Sequence, residues 1–444
     1  MFVLVRVDTS YVERWALAEY DAVIVGAGIF GLSTAYHVKK LKPHDKVLLV
    51  DMMGAPGQGN TAKSAAMFRC FFYSRTNLTL VDTSVEFYRY VHEKLDADLK
   101  LRWTGYLWLF SNEDYKDAEP VLKSMAERGL EYKIYDEKEL TEKLKMTTCV
   151  TADEEAQMMG LEDANVGVLV PKAGSIDIDE LVKFYEAEFK KMGGETRYNT
   201  RVESIIVEPE TSLGIPGEPY FWQKPRASGI KTNKGIIKAK KTIVAAGTWA
   251  STLLDQVGID APMKPIKRQL FSVRANTEEL KQLLYTKGFT RENCMPFTIM
   301  PKPRVYIKPA LEEDSFWFSY GDHFPRGFKL EDDPQPEENF YKYGIYQVAT
   351  KYFPQFVGCQ PNGAWAGQYA LNTLDGQPVI LEEDNVIVVG SCSGSGNMKA
   401  DAVGRVAAAL YAGQEYALLY GDKQFKVSDL GLKKRNVEPE KLII

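Results

Sequence analysis

Only four histidines occur among the 444 residues: His37, His44, His92 and His323. The first three fall in or near helical stretches of the opening region, where a packed or solvated ring is the simpler reading. A histidine-based metal centre and a Ser–His–Asp apparatus are both poorly supplied, which favours a bound cofactor as the carrier of the chemistry. Cysteine is scarce as well. Cys70, Cys149, Cys294, Cys359 and Cys392 are odd in number, scattered and never spaced CxxC. Neither a disulfide framework nor a zinc site is expected, which suits a reducing compartment. The formal net charge is -5 and there is no long basic block, so nucleic acid is not expected as the main partner. There are no internal repeats, low-complexity tracts or bilayer-length apolar runs. The opening "MFVLVRVDTSYVERWALAEY" starts apolar, but Arg6, Asp8, Glu13 and Arg14 interrupt it. That excludes a signal-peptide core and a spanning helix. The cytoplasm is the expected location, with peripheral membrane attachment left open.

What the chain does contain is ordinary for a globular protein, with 45% hydrophobic and 26% charged residues. Its length predicts two domains or one elaborated domain. The informative stretch is "YDAVIVGAGIFGLSTAYHVKK", residues 20 to 40. Ala22 to Val25 form a short apolar run, as expected of a strand covered on both faces. Gly26, Gly28 and Gly31 supply a tight turn, a close backbone approach to a pyrophosphate, and close helix–strand packing. The helix that follows would aim its N-terminal N–H groups at phosphate. "KVLLVD" then ends in Asp51, twenty residues past Gly31, where a ribose-binding carboxylate belongs. In this context the glycine pattern predicts dinucleotide binding rather than a plain strand–helix turn.

The predicted architecture is α/β plus α+β: a discontinuous Rossmann-like dinucleotide domain interleaved with an antiparallel-sheet substrate domain. Residues 20–100, 166–262 and 378–425 are assigned to the first, residues 101–165 and 263–377 to the second, and 426–444 to a C-terminal tail. Three strand–glycine–helix junctions fall in the first domain, at Gly26–Gly31, at Ala245–Gly247 and at Gly394–Gly396. A nicotinamide domain usually runs as one continuous piece, so three separated junctions point elsewhere. The third, "CSGSGNMK", clusters backbone N–H groups at a helix start and could cradle a flavin. Ligands are expected where the two domains meet.

With these motifs in view, the chain resembles the FAD-dependent amine oxidoreductases that include sarcosine oxidase, glycine oxidase and D-amino-acid dehydrogenase. It is most similar to the dye-linked L-proline dehydrogenases of archaea. The resemblance covers most of the chain and is carried by "GAGIFG" with Asp51, "SAAMFR" at 64–69, "TIVAAGTWA" at 242–250, "WAGQYALNTLDGQPVI" at 365–380 and "GSCSGSGNMKADAVG" at 390–404. It implies that Gly26, Ala27, Gly28, Ile29, Phe30 and Gly31 hold the FAD pyrophosphate and Asp51 the adenosine ribose. Lys63, Ser64, Ala65 and Ala66 match the loop passing near the flavin. Val202 matches a strand residue near the adenine, and Ala246 with Gly247 a second nucleotide-side turn. Gly394, Ser395, Gly396, Asn397 and Met398 match the loop facing the isoalloxazine ring. Arg69 matches the arginine that grips the substrate carboxylate, a task suited to a forked guanidinium. The alternative for Arg69 is a packing or surface role.

Three departures from the family pattern carry expectations of their own. The second carboxylate-binding lysine of sarcosine oxidases falls at Met398, with Lys399 one step beyond. The cysteine that bonds covalently to FAD in sarcosine oxidase falls at Gln368, which predicts non-covalent FAD. The lysine that activates dioxygen, four residues before His323, falls at Ser319, and a missing cation there favours a dehydrogenase. The resemblance thus implies hydride transfer from a secondary amino acid, L-proline foremost, to flavin N5, giving a pyrroline carboxylate. Electrons would pass to a quinone or another carrier. Arg69, Tyr369 and Lys399 are the expected catalytic residues, and Tyr369 and Trp317 the expected pocket walls. A dioxygen-using amine oxidase and a non-catalytic assembly flavoprotein remain the alternatives, and homo-oligomerisation is left open.

Overall fold

The structure, a computed structural model, describes residues 19–322 and 326–442. The expectations placed on the segment before Glu19, and the use of His323 as an alignment anchor, lie outside these residues.

Strands are numbered in chain order. The first sheet runs β17 (Val379–Glu383), β18 (Val386–Gly390), β11 (Gly235–Val244), β1 (Tyr20–Val25), β2 (Val47–Val50) and β8 (Glu195–Arg197). All its pairings are parallel except the edge pair β17–β18. A flap of β9 (Val202–Pro209) and β10 (Pro225–Thr232) extends it antiparallel through β11. Alternation along β1 supplies two covered faces. Ala22 and Ile24 face α1 (Ile29–Leu41), α2 (Arg75–Lys94), α3 (Ile178–Lys191) and α4 (Ala400–Tyr411), whereas Val23 and Val25 face the flap and the short helix Ala250–Leu254.

The second sheet runs β16 (Gly363–Asn372), β12 (Met263–Arg274), β15 (Ser315–Ser319), β14 (Tyr306–Ala310), β13 (Phe297–Ile299), β4 (Tyr106–Phe110), β6 (Val166–Val170) and β5 (Lys133–Asp136). It is antiparallel apart from β13–β4. Leu107, Ile307, Phe316, Phe318 and Phe271 bury one face under the helices Glu278–Leu284 and Tyr346–Tyr352. The other face carries Tyr106, Trp108 and Tyr306, which pack with Met67, Phe71 and Leu122, together with Ser319 and Tyr369. A two-stranded ribbon of β3 (Met67–Arg69) and β7 (Ala173–Ser175) bridges the two units. One boundary needs correction. β6 pairs with β4 and β5, so Val166–Val170 belong to the second sheet and not to the dinucleotide segment 166–262. Their apolar sequence reads equally well in either sheet, and only the partner strands decide.

Beneath the first sheet the helices are tied together by one carboxylate. Asp401 has no solvent exposure and accepts from Arg405 Nε at 2.6 Å and Tyr185 OH at 3.2 Å, with His37 Nε2 at 2.7 Å. This accounts for His37 as a structural residue. Burial works to raise the Asp401 carboxyl, but His37 and Arg405 outweigh it and hold it below the usual range. Burial likewise holds the His37 imidazole below its ordinary value. The unfolded chain therefore binds the His37 proton first, and stability should fall as pH drops past about 6.5. Asp401→Ala would strand two buried partners, and urea unfolding should show a loss of about 3–5 kcal/mol. A loss under about 1 kcal/mol, typical of an exposed pair, would refute this role.

Candidate active site

The parallel strands β1, β11 and β18 end side by side, and a cleft opens at their carboxyl ends. At its floor Gly26 has φ of +105°, and a Cβ there would lie 2.6 Å from Ala245 O. A Cβ on Gly31 would lie 1.8 Å from Gly26 O, so only glycine lets α1 start this close to β1. Gly28 precedes α1 without a side-chain cap, leaving the helix N-terminus facing the cleft. Asp51 lines the same cleft and accepts from Ala27 N–H at 2.6 Å and Met53 N–H at 2.7 Å. Burial, its dominant influence, pushes its carboxyl up from the ordinary value.

Of the expected cofactor residues, Gly26, Gly28, Ile29, Phe30, Asp51, Ser64, Val202, Ala246, Gly247, Gly394, Gly396 and Asn397 line this cleft. The others stand behind it. Ala27 contributes its N–H to Asp51, Gly31 contributes its missing side chain, and Met398 packs into the helical core. Lys63 reaches out to Asp333 at 3.2 Å, while its carbonyl accepts from Trp365 Nε1. Ala65 packs beside Met67, and Ala66 N–H donates to Ser64 Oγ. Ser395 faces a neighbouring cavity. The structure adds lining residues to which no role was assigned. Asn60 joins the cleft loop to Thr248 Oγ1 and to Gln368 N–H, and Thr61 Oγ1 accepts from Ile29 N–H. Trp249 closes the far wall.

The loop after β18 is held in an uncommon conformation. Ser391, Ser393 and Gly394 have φ of 61°, 49° and 86°. Ser393 Oγ accepts from Asn372 N–H, and Tyr369 packs so closely on Gly394 that a Cβ there would lie 2.3 Å from the ring. Ser393 lines both the cleft and a second cavity of about 410 Å³. That second cavity brings together Arg69 and Lys399, which lie far apart in sequence. Arg69 places its guanidinium carbon 4.4 Å from the Phe72 ring centre and 5.5 Å from that of Trp108. Its Nε is buried and has no hydrogen-bond partner. Desolvation lowers its pKa, against smaller opposing effects of Tyr106 and Glu440. Lys399 also sits over Phe72, at 5.4 Å, but its ammonium is engaged by Asn77 Oδ1 and Ser395 Oγ, each at 2.7 Å. Burial brings it down to about 8.

From Arg69 an aromatic row crosses the second sheet through Trp108, Tyr106, Phe297 and Tyr306, with ring centres 5.6, 4.4 and 4.9 Å apart. Ser319, buried, stands opposite Tyr306 at its end. Tyr369 lines the cleft, and Arg268 lies over its ring at 5.3 Å. Trp317 lines neither of the two cavities. It packs edge-on against Trp365 and holds the buried Lys308 ammonium 3.8 Å from its ring centre. Burial brings Lys308 down to about 8.

A twofold glycine approach, a half-buried acidic residue at the second strand end and a loop with positive φ opposite mark a dinucleotide-binding cleft. The FAD-dependent oxidoreductase family model matches residues 21–410, and the chain belongs to that family. It is 22% identical to a putative sarcosine oxidase of Caenorhabditis elegans over 93% of this chain and 99% of that protein. It is 24% identical to FAD-dependent oxidoreductase domain-containing protein 1 of Bos taurus over 90% of this chain and 82% of that one. Among solved structures it resembles L-proline dehydrogenase from P. horikoshii, with a TM-score of 0.69 and 22% identity, covering 89% of this chain and 94% of the other. The cofactor is FAD, and the cleft fits it: glycine cradles that a Cβ would fill lie at the helix start, and Asp51 lies beyond them. At position 368 the glutamine amide donates to Lys329 O and accepts from Glu331 N–H, so no thiol stands where a thioether would form in sarcosine oxidase. After acid precipitation all flavin should remain in the supernatant. Flavin fluorescence on the polypeptide band would overturn non-covalent binding.

Proposed function

We propose that the protein is a dehydrogenase that oxidises a secondary amino acid, L-proline foremost, to its imine and passes electrons to a quinone or another carrier. The observation that carries this reading is Arg69: a guanidinium with a partnerless buried Nε, in a cavity that shares Ser393 with the FAD cleft. Bound FAD supplies a two-electron acceptor for the C–H bond next to the amine. The chain would do the rest. Gly26 to Gly31 and Asp51 would hold the dinucleotide, and the 391–397 loop would set the edge of the site. Arg69 would anchor the substrate carboxylate by a charge-assisted pair. The row from Trp108 to Tyr306, with Tyr369, would exclude water and confine the amine-bearing carbon. Lys399, already bound to Asn77 and Ser395, is assigned a supporting role.

Proline suits such a site because it offers one carboxylate, a secondary amine and an apolar ring edge, and the P. horikoshii protein of the same fold is an L-proline dehydrogenase. The acceptor assignment rests on Ser319, a hydroxyl where the resembling oxidases carry a cation. Lys308, on the neighbouring strand, spends its charge on the Trp317 face. An oxidase reading would need that lysine to serve in place of position 319.

Arg69→Ala should keep FAD and weaken amino-acid binding about thirty- to several-thousand-fold, the usual consequence of truncating one partner of a desolvated charge pair. Unchanged affinity would remove the carboxylate assignment. An anaerobic screen of amino acids, read by loss of the oxidised flavin absorption, tests the substrate, and bleaching by no amine would favour a non-catalytic flavoprotein. Reduced wild-type enzyme should reoxidise far faster with an artificial dye than with air, and Ser319→Lys should move that ratio toward oxygen. Rapid aerobic reoxidation of the wild type would sink the dehydrogenase reading.

A further inference from the structure

The final described residues return to the Arg69 cavity. Glu440 lines it, and its carboxylate is seated at the start of α2. Oε1 accepts from Tyr73 N–H at 3.0 Å and Leu442 N–H at 3.2 Å, and Oε2 from Ser74 N–H and Asn77 Nδ2, both at 3.3 Å. Leu442 is buried in the cluster that holds Phe71, Tyr106 and Trp108. Gln377 Nε2 donates to Glu438 O at 2.6 Å, and Glu438 N–H to Thr76 Oγ1 at 3.1 Å, so the segment is fastened along its length.

The charges of this cavity can be assigned one by one. Asp375 is paired with Arg435 through two bonds, of 2.6 and 2.7 Å. Lys399 donates to Asn77 Oδ1 while Asn77 Nδ2 donates to Glu440, so a single amide links that ammonium to that carboxylate. Among the described residues that line the cavity, Arg69 alone is left without a carboxylate partner. We propose that Glu440 is a specificity-determining residue: it cancels Lys399, sets the cavity at one net positive charge, and so selects amino acids with one carboxylate over those with two. This rests on Arg69 as the carboxylate anchor. A second carboxylate on the substrate would meet Glu440, a like charge.

The test uses the FAD-loaded enzyme with two redox-inert probes, propionate and succinate, whose binding is read from the shift they cause in the flavin absorption band. In Glu440→Gln, affinity for succinate should rise at least about tenfold relative to propionate, about 1.4 kcal/mol. The double variant Glu440→Gln with Lys399→Met should return to wild-type discrimination. Lys399→Met alone leaves Glu440 uncompensated and should disfavour succinate further; it serves as the test if Glu440→Gln does not retain FAD. A succinate-to-propionate ratio unchanged in these variants, while Arg69→Ala still weakens propionate, overturns the inference and leaves the anchor standing. Propionate binding that Arg69→Ala does not weaken brings down the anchor instead.

Discussion

The distance at which α1 meets β1 governs the whole arrangement. Gly31 lies so close to the carbonyl of Gly26 that no side chain fits between them, and Gly26 turns through a φ of +105° under Ala245. Because of that contact the helix N-terminus opens onto the strand ends. β11 then pairs with β1, with Ala245 N–H donating to Val25 O, and β18 pairs with β11. The three crossovers thus deliver their loops to one edge, the usual place for a ligand in an open parallel sheet. Even the second cavity depends on this, since one of its walls is the loop that follows β18.

On the far side of the same helices, Asp401 performs the complementary task. It links α1 through His37, α3 through Tyr185 and its own helix through Arg405. A buried charge of this kind is a costly component unless each partner is present, so it specifies one packing of the layer more than it adds net stability.

The parts of the site legible in the sequence are those in which local backbone and chemistry coincide. Gly26–Gly31, Asp51 and the 394–397 loop are short motifs whose residue types are dictated by their own turns; Gly26, Gly28, Ile29, Phe30, Asp51, Gly394, Gly396 and Asn397 line the cleft, and Ala27, Gly31 and Ser395 support it from behind or beside it. Arg69 could be marked only by resemblance. Lys399, one step beyond the matching position at Met398, lines the same cavity with its hydrogen bonds directed to Asn77 and Ser395. Trp317 was marked because it is aromatic, and the strand turned it to Lys308 and Trp365 instead. Asn60, Thr61 and Glu440 left no local signal. Their positions follow from contacts across dozens to hundreds of residues, which no periodicity records. β6 illustrates the same limit, since "VGVLV" fits a buried strand of either sheet.

The interleaving of the two units has a consequence for how the chain acquires its shape. β1 is complete by residue 25, yet its neighbour β11 lies at 235–244 and the next strand at 386–390. During synthesis β2 can pair with one edge of β1 early, but the other edge must wait for more than two hundred further residues before β11 emerges. Pairings so distant in sequence form slowly, and exposed strand edges are sticky while they wait. Its cofactor cleft lacks the loop at 391–397 until most of the chain has been made.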